Sequence, residues 1–332
     1  MLIYPEFAAH WASQLGCDID SLQRLGGGIN NLVYHCGHRE RKWVIKGYQP
    51  NQGGKQDRMH AEVEFLEFAK QAAPGFTPEL IYVDRDRRCV VMEHINGKKF
   101  PDGIKPSSAV IAEAVEFFRQ LNSNSELARK VVHANAAEGF SSLSEHIDNI
   151  NARIKGMTYT HLEQPFAKEA KVILEHLRAK EESVREETNE SIDKALIDDT
   201  IKQNELCISP SDFGFHNAIR TTEKTIFIDF EFAGWDDPAK TILDFAYQPR
   251  IPLGTNESPL IQALDLDLRK NVVARSVYMR PIIELKWICI ILTVLTPARL
   301  EQMLTMNPEE DRKSLIKKRL MAAIERLRMT SC

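Results

Sequence analysis

The sequence lacks paired cysteines. Its six cysteines, Cys17, Cys36, Cys89, Cys207, Cys289 and Cys332, lie far apart with no C-x-x-C among them. That spacing speaks against a structural zinc site and points to reduced thiols in a cytosol. There is no surplus of positive charge either: 43 Lys and Arg against 47 Asp and Glu leave a formal net charge of −4. A nucleic-acid or anionic-membrane partner is therefore not expected. Nor is there a long apolar run. The most apolar stretch, residues 287–295, is bracketed by Lys286 and Arg299 and is far shorter than the ~20 residues of a bilayer crossing. The opening MLIYPEFAAHWASQLG has no basic start, so no secretory leader is expected, and no residues follow Cys332 to make a prenylation signal. The expectation is a soluble, cytoplasmic protein. What remains is ordinary globular composition, 43% hydrophobic and 27% charged over 332 residues, with length enough for two lobes around a cleft.

One stretch organises the rest. Residues 209–231 read SPSDFGFHNAIRTTEKTIFIDFE. Asp212 is followed by Asn217 across a glycine-containing loop, and Asp229 closes a short apolar run, Thr225-Ile226-Phe227-Ile228, that reads as a strand. A carboxylate, an amide and a second carboxylate on turns flanking a short hairpin can converge on one point. They are the minimum for phosphoryl transfer: a base to orient a hydroxyl, and two oxygen ligands for Mg²⁺. The same residues also suit a surface hairpin, since Asp and Asn are common in turns.

The spacing D-x-x-x-x-N followed by a strand and I-D-F-E resembles the aminoglycoside phosphotransferase and choline kinase family of small-molecule kinases. Its usual H-G-D is here Pro210-Ser211-Asp212, so the family's loop-buttressing His is missing. The resemblance implies a protein-kinase-like α+β fold, with a small β-rich lobe over residues 1–93, a hinge at 94–98, and a larger mainly helical lobe over 99–332. It implies ATP and Mg²⁺ as cofactors. Asp212 is then the catalytic base, and Asn217 and Asp229 are the metal ligands.

Elements upstream occur in the order this family requires. Gly26, Gly27 and Gly28, followed by Asn30 and Asn31, let the backbone approach a ligand closely, as a loop over phosphates must, although a plain hairpin turn is equally compatible. Residues 42–46 (KWVIK) read as a strand ending on Lys46, which matches the family's phosphate-binding Lys. Residues 58–71 read as an amphipathic helix carrying Glu62 at the family's Lys-pairing position, with Glu64 and Glu67 as alternatives. A strand over 78–83 precedes CVVMEHING, residues 89–97, where backbone groups from Glu93 to Ile95 would meet the adenine edge.

Further on, helices are expected over 107–122, 141–154 and 164–196, the last dense in i,i+4 charge pairs and thus a solvated face. His161 has no placed partner and reads as surface. After Asp229, the run to Asp237-Pro238 and Asp244-Phe245-Ala246 matches the family's close. Asp237 and Asp244 are expected to cap and order the following helix, and Glu231 to be an outward strand residue. Residues 280–295 read as a core helix. The resemblance implies an acceptor site against the C-terminal helices, which makes Tyr247, Tyr278, Glu284 and Trp287 candidate pocket residues, and packing is the simpler use of Trp287. No A-P-E follows Asp229, which disfavours a Ser/Thr protein kinase. The expected function is transfer of the ATP γ-phosphate to a hydroxyl of a small molecule, an amino alcohol, sugar or aminoglycoside-like compound. The alternative is a kinase-like nucleotide-binding protein with little or no transfer activity. Composition gives no oligomeric state.

Overall fold

The computed structural model describes residues 5–26, 30–50, 56–191, 200–254, 258–264 and 266–330. Gly27, Gly28 and the end of the expected 164–196 helix lie outside the described residues. The chain opens with helix α1 (Glu6–Gln14) and strands β1 (Gln23–Leu25), β2 (Asn31–His38) and β3 (Arg41–Tyr48). Helix α2 (Arg58–Ala72) and strands β4 (Leu80–Asp84), β5 (Cys89–Glu93) and β6 (Lys98–Lys99) come next. Helices α3 (Ser108–Leu121), α4 (Ser125–Val131), α5 (Leu143–Lys155) and α6 (Phe166–Ser191) precede four short strands. These are β7 (Cys207–Ser209), β8 (Ala218–Arg220), β9 (Thr225–Phe227) and β10 (Gly234–Asp236). The rest is helical: α7 (Pro238–Tyr247), α8 (Ser258–Gln262), α9 (Leu266–Ile291), α10 (Pro297–Met306) and α11 (Arg312–Met329). Among the described residues, no single helix is long and apolar enough to cross a membrane.

The chain divides into two compact units. The first comprises Met1–Ala137, Cys207–Asp236 and Arg250–Asp265. Its main sheet is five-stranded and antiparallel, in the order β1-β2-β3-β5-β4. Helix α1 lies close against β3: a Cβ added at Gly47 would sit 2.4 Å from the Phe7 ring. Trp11 on the same helix stacks on Tyr82 at 4.9 Å and donates its indole N–H to Asp84 at 2.9 Å. Helix α2 starts on Asp57, whose carboxylate accepts from the Met59 and His60 amides while Arg88 grips both its oxygens at 3.0 Å. The same guanidinium hydrogen bonds hold the Asp57 carboxyl below its ordinary pKa.

An aromatic floor occupies the rest of this unit. Phe117 of α3 stacks on Phe227 of β9 at 4.8 Å, Phe213 meets Phe227 at 5.3 Å, and Phe65 of α2 stacks on Phe230 at 4.4 Å. Such pairs add about 0.5–1.5 kcal/mol each beyond the area they bury. The phenylalanines of the DFGF loop and of the strand after it are core residues, which anchors both segments.

The second unit comprises Glu138–Leu206, Asp237–Pro249 and Leu266–Cys332, and it is helical. Helix α5 opens with the reciprocal Ser142–Glu145 capping box. Asp237 caps α7 as expected, accepting from the Ala239 amide at 2.8 Å. Asp244 does not cap anything. It sits inside α7, fully buried, paired with Lys286 of α9 and 3.6 Å from Lys240 one turn back.

Candidate active site

Every residue described for the site lies in the first unit. Lys46 stands on the central strand β3, opposite Val33 on one side and Val90 on the other. Its ammonium lies 2.5 Å from Glu62 and 2.5 Å from Asp229, and it is almost fully buried. Glu62, on α2, accepts a second bond from the Tyr48 hydroxyl at 2.7 Å and a third from the Phe230 amide at 3.3 Å. One glutamate thus ties the strand Lys to the segment bearing Asp229. The sequence alternatives resolve cleanly. Glu64 is occupied elsewhere, taking the His133 amide at 3.1 Å and the His60 and His133 rings at 3.0 Å, and Glu67 is exposed.

Asp229 and Ser211 both have left-handed backbones, φ 70° and 65°. For non-glycine residues this costs of order 1–2 kcal/mol. At Asp229 it turns a strand end sharply enough to aim the carboxylate back at Lys46. At Ser211 it turns the chain into the loop that carries Asp212, where the amide of Ser211 is held by the Ser209 hydroxyl at 3.0 Å.

The loop itself is closed by short-range bonds. Asn217 donates from its amide nitrogen to the Asp212 carbonyl at 3.0 Å and to Asp212 Oδ2 at 2.9 Å. His216 Nε2 stands 3.1 Å from Asp212 Oδ1. The Asn217 carbonyl accepts from the Ile228 amide at 2.9 Å, which fastens the loop to the strand leading to Asp229. Pro210, Asp212, Gly214, Asn217, Asp229 and Phe230 line one concavity. Asp212, Asn217, Asp229, Lys46 and Glu62 are therefore brought together.

Glu231 corrects the sequence reading. It is not an outward strand residue but is nearly buried, and it accepts from Asn30 at 3.0 Å and from the Asn31 side chain. Burial and repulsion from Asp229 push its pKa to about 7, against the pull of Lys46. The Lys46 ammonium is raised as well, for a different reason. Burial alone would lower its pKa, but Asp229, Glu62 and Glu231 more than offset this and raise it. The Tyr48 hydroxyl is likewise raised well above its ordinary value, first by burial and then by Glu62.

Sequence reasoning missed Tyr48 and His216. Tyr48 left a signal, because it lies two residues after Lys46 and so shares its face of β3. His216 left none. Of the glycine stretch, Gly26 is described and has open space around its Cα. At the expected hinge, the Glu93 amide donates to the Glu79 carbonyl at 2.9 Å, which keeps that N–H within the sheet.

In the second unit, Tyr247, Glu284 and Trp287 are buried and Tyr278 is half-buried. The Arg280 guanidinium covers the Tyr247 ring at 5.8 Å, and the Lys286 ammonium lies 5.1 Å from the Trp287 ring. Burial raises the Glu284 pKa, opposed by Arg326 and Arg280.

The model of the phosphotransferase enzyme family matches residues 21–257. The chain belongs to this family. No curated protein matches it. Among solved structures, the phosphotransferase chain is similar to a choline/ethanolamine kinase family protein from Mesorhizobium loti, at 20% identity and TM-score 0.52 over 93% of this chain and 88% of that one. It is similar to a Plasmodium vivax ethanolamine kinase at 14% identity and TM-score 0.53, covering 92% and 82%. A spectinomycin phosphotransferase, solved with ADP and spectinomycin, matches at 10% identity and TM-score 0.56 over 98% and 99%. These likenesses bear out the expected protein-kinase-like fold, β-rich toward the N-terminus and helical toward the C-terminus.

Proposed function

We propose that this phosphotransferase moves the γ-phosphoryl group of ATP to a hydroxyl of a small molecule, with Mg²⁺ as the metal. The observation that carries this is the bonded chain from Lys46 through Glu62 and Asp229, with Asp212 and Asn217 lining the same concavity as Asp229. Each residue then has a separate task. Asp212 orients the acceptor hydroxyl and takes its proton. Lys46, held by Glu62, faces the phosphates. Asn31 and the glycines Gly26, Gly27 and Gly28 cover them. Glu93 and Ile95 offer backbone groups to the adenine edge. Because the transition state is loose, positioning and charge neutralisation do most of the catalysis.

The donor set fits a hard divalent ion. Asn217 spends its amide nitrogen on Asp212, which leaves its amide oxygen for a metal beside the Asp229 carboxylate. Glu62, Asp229 and Glu231 surround the single ammonium of Lys46, an excess of negative charge that a divalent cation would neutralise. Asn217 and Asp229 would hold the Mg²⁺, which would supply neutralisation of phosphate charge.

The deciving measurements run in sequence: thermal shift with MgATP, then phosphate transfer across amino alcohols, sugars and aminoglycosides. Asp212→Ala should keep the MgATP shift and lose turnover by about 10²–10⁴-fold, the range for a positioned general base. Undiminished turnover in that variant refutes the assignment. A MgATP shift with no transfer to any acceptor favours the nucleotide-binding alternative.

A further inference from the structure

We propose that His216 is a positioning residue for Asp212, fixing the carboxylate through an Nε2–H bond to Oδ1; this rests on the phosphotransfer reading above. The Asp212 side chain is about one-third exposed, and it must present one lone pair to an incoming hydroxyl. Two donors from adjacent residues on the turn Phe215–Asn217 clamp its two oxygens: His216 on Oδ1 at 3.1 Å and Asn217 on Oδ2 at 2.9 Å.

The two donors are not equivalent. Asn217 divides its side chain between Asp212 and the metal position, so its orientation depends on what is bound. His216 has no second duty. Its ring is buried, and among the described residues its Nδ1 atom has no hydrogen-bond partner, so the ring's polar engagement there is toward Asp212. Burying an imidazole with one nitrogen unsatisfied is unfavourable unless the other nitrogen makes a strong bond. An imidazole that carries a proton on Nε2 and donates it to a carboxylate meets that condition. The neighbours Phe213 and Phe215 are core residues, which fixes the backbone on which the ring is carried.

The test needs no knowledge of the acceptor, since MgATP hydrolysis puts water in its place. His216→Phe keeps the ring volume without a donor, and His216→Gln restores an N–H of similar reach. His216→Phe should lower kcat roughly 10- to 100-fold, as expected for losing a hydrogen bond to a charged group. KM for MgATP and the MgATP thermal shift should stay within about two-fold of wild type, because a ground-state binding role is not involved. His216→Gln should regain most of the lost kcat. Wild-type kcat in His216→Phe, or a loss in His216→Gln as large as in His216→Phe, overturns the proposal. Should His216→Phe fail to fold, ¹⁵N-edited NMR of the wild-type imidazole decides instead: a proton on Nε2, displaced in Asp212→Ala, supports the bond, and a proton on Nδ1 overturns it. A wild type that neither shifts with MgATP nor hydrolyses it overturns the phosphotransfer reading and this proposal with it. That failure is recognisable because it appears in the wild type and not only in the variants.

Discussion

Lys46 in the sheet-bearing unit and Lys286 in the helical unit are both buried lysines gripped by carboxylates, but the charge around them is arranged differently. Lys46 faces Glu62, Asp229 and Glu231, and the Asp229 side chain is 43% exposed. Lys286 shares Asp244 with Lys240, and nearby in the same unit Arg275 holds Asp237 at 2.6 Å; neither carboxylate sees solvent. The first cluster is over-acidic and open, as the proposed binding of a cation and a phosphate chain requires. The second is closed and joins α7 to α9. Lys–Asp pairs alone do not distinguish a reaction centre from a structural brace; the charge balance and the opening to water do.

The sharpest way to break this comparison is to remove one acid from each cluster. Asp229→Ala should reduce turnover by more than roughly 100-fold, beyond the usual effect of a metal ligand's outer partners. Its midpoint temperature should fall only slightly, because Glu62 still pairs with Lys46 and the relieved repulsion on Glu231 offsets part of the lost Asp229 bond. Asp237→Leu should do the reverse, losing about 3–5 kcal/mol of stability through the stranded Arg275 charge. Denaturant titration and steady-state kinetics on both variants check the pair. Equal stability losses would erase the distinction.

A smaller effect tests how closed the second cluster is. His146 on α5 is buried, and burial, with Lys240, Lys286 and Arg275 nearby, keeps its pKa well below the ordinary 6.5. Below pH 6.5 the unfolded chain therefore takes up a proton that the folded chain refuses. Stability from this residue is complete above 6.5 and falls as pH drops, by at most about 1.4 kcal/mol per pH unit. His146→Phe should flatten that acid limb in urea titrations between pH 6.5 and 5, and an unchanged slope would show that the histidine is reached by solvent. The smallest effect concerns the strained turn into the catalytic loop. Ser211→Gly, at φ 65°, should stabilise the first unit by about 1 kcal/mol or less, the relief of left-handed strain minus the entropy of an added glycine.

These contrasts also mark what the sequence could carry. The order of strand Lys, helix Glu, D-x-x-x-x-N and second Asp was legible because each member sits at a fixed offset within a local element. Helix α2 with Glu62, β3 with Lys46 and the Asp237 cap formed where periodicity placed them. Partners that meet only through the fold were not legible. Glu231 turned inward because Asn30 and Asn31, 200 residues earlier, supply donors to both of its oxygens. Asp244 found Lys286, 42 positions away, instead of a helix terminus. His216, one residue before Asn217, carried no signal, because nothing in spacing tells which way a ring on a tight turn will face.

The ring of Phe7 pressed against Gly47 has a consequence for where the protein can be trimmed. Helix α1 lies before residue 21, where the family match begins, yet it backs the very strand that presents Lys46. Shortening the chain to the matched segment would remove Phe7 and Trp11 together, leaving the rear of β3 bare and the Asp84 carboxylate without its indole donor. A minimal catalytic fragment drawn from the family boundaries alone would thus be cut inside its own support.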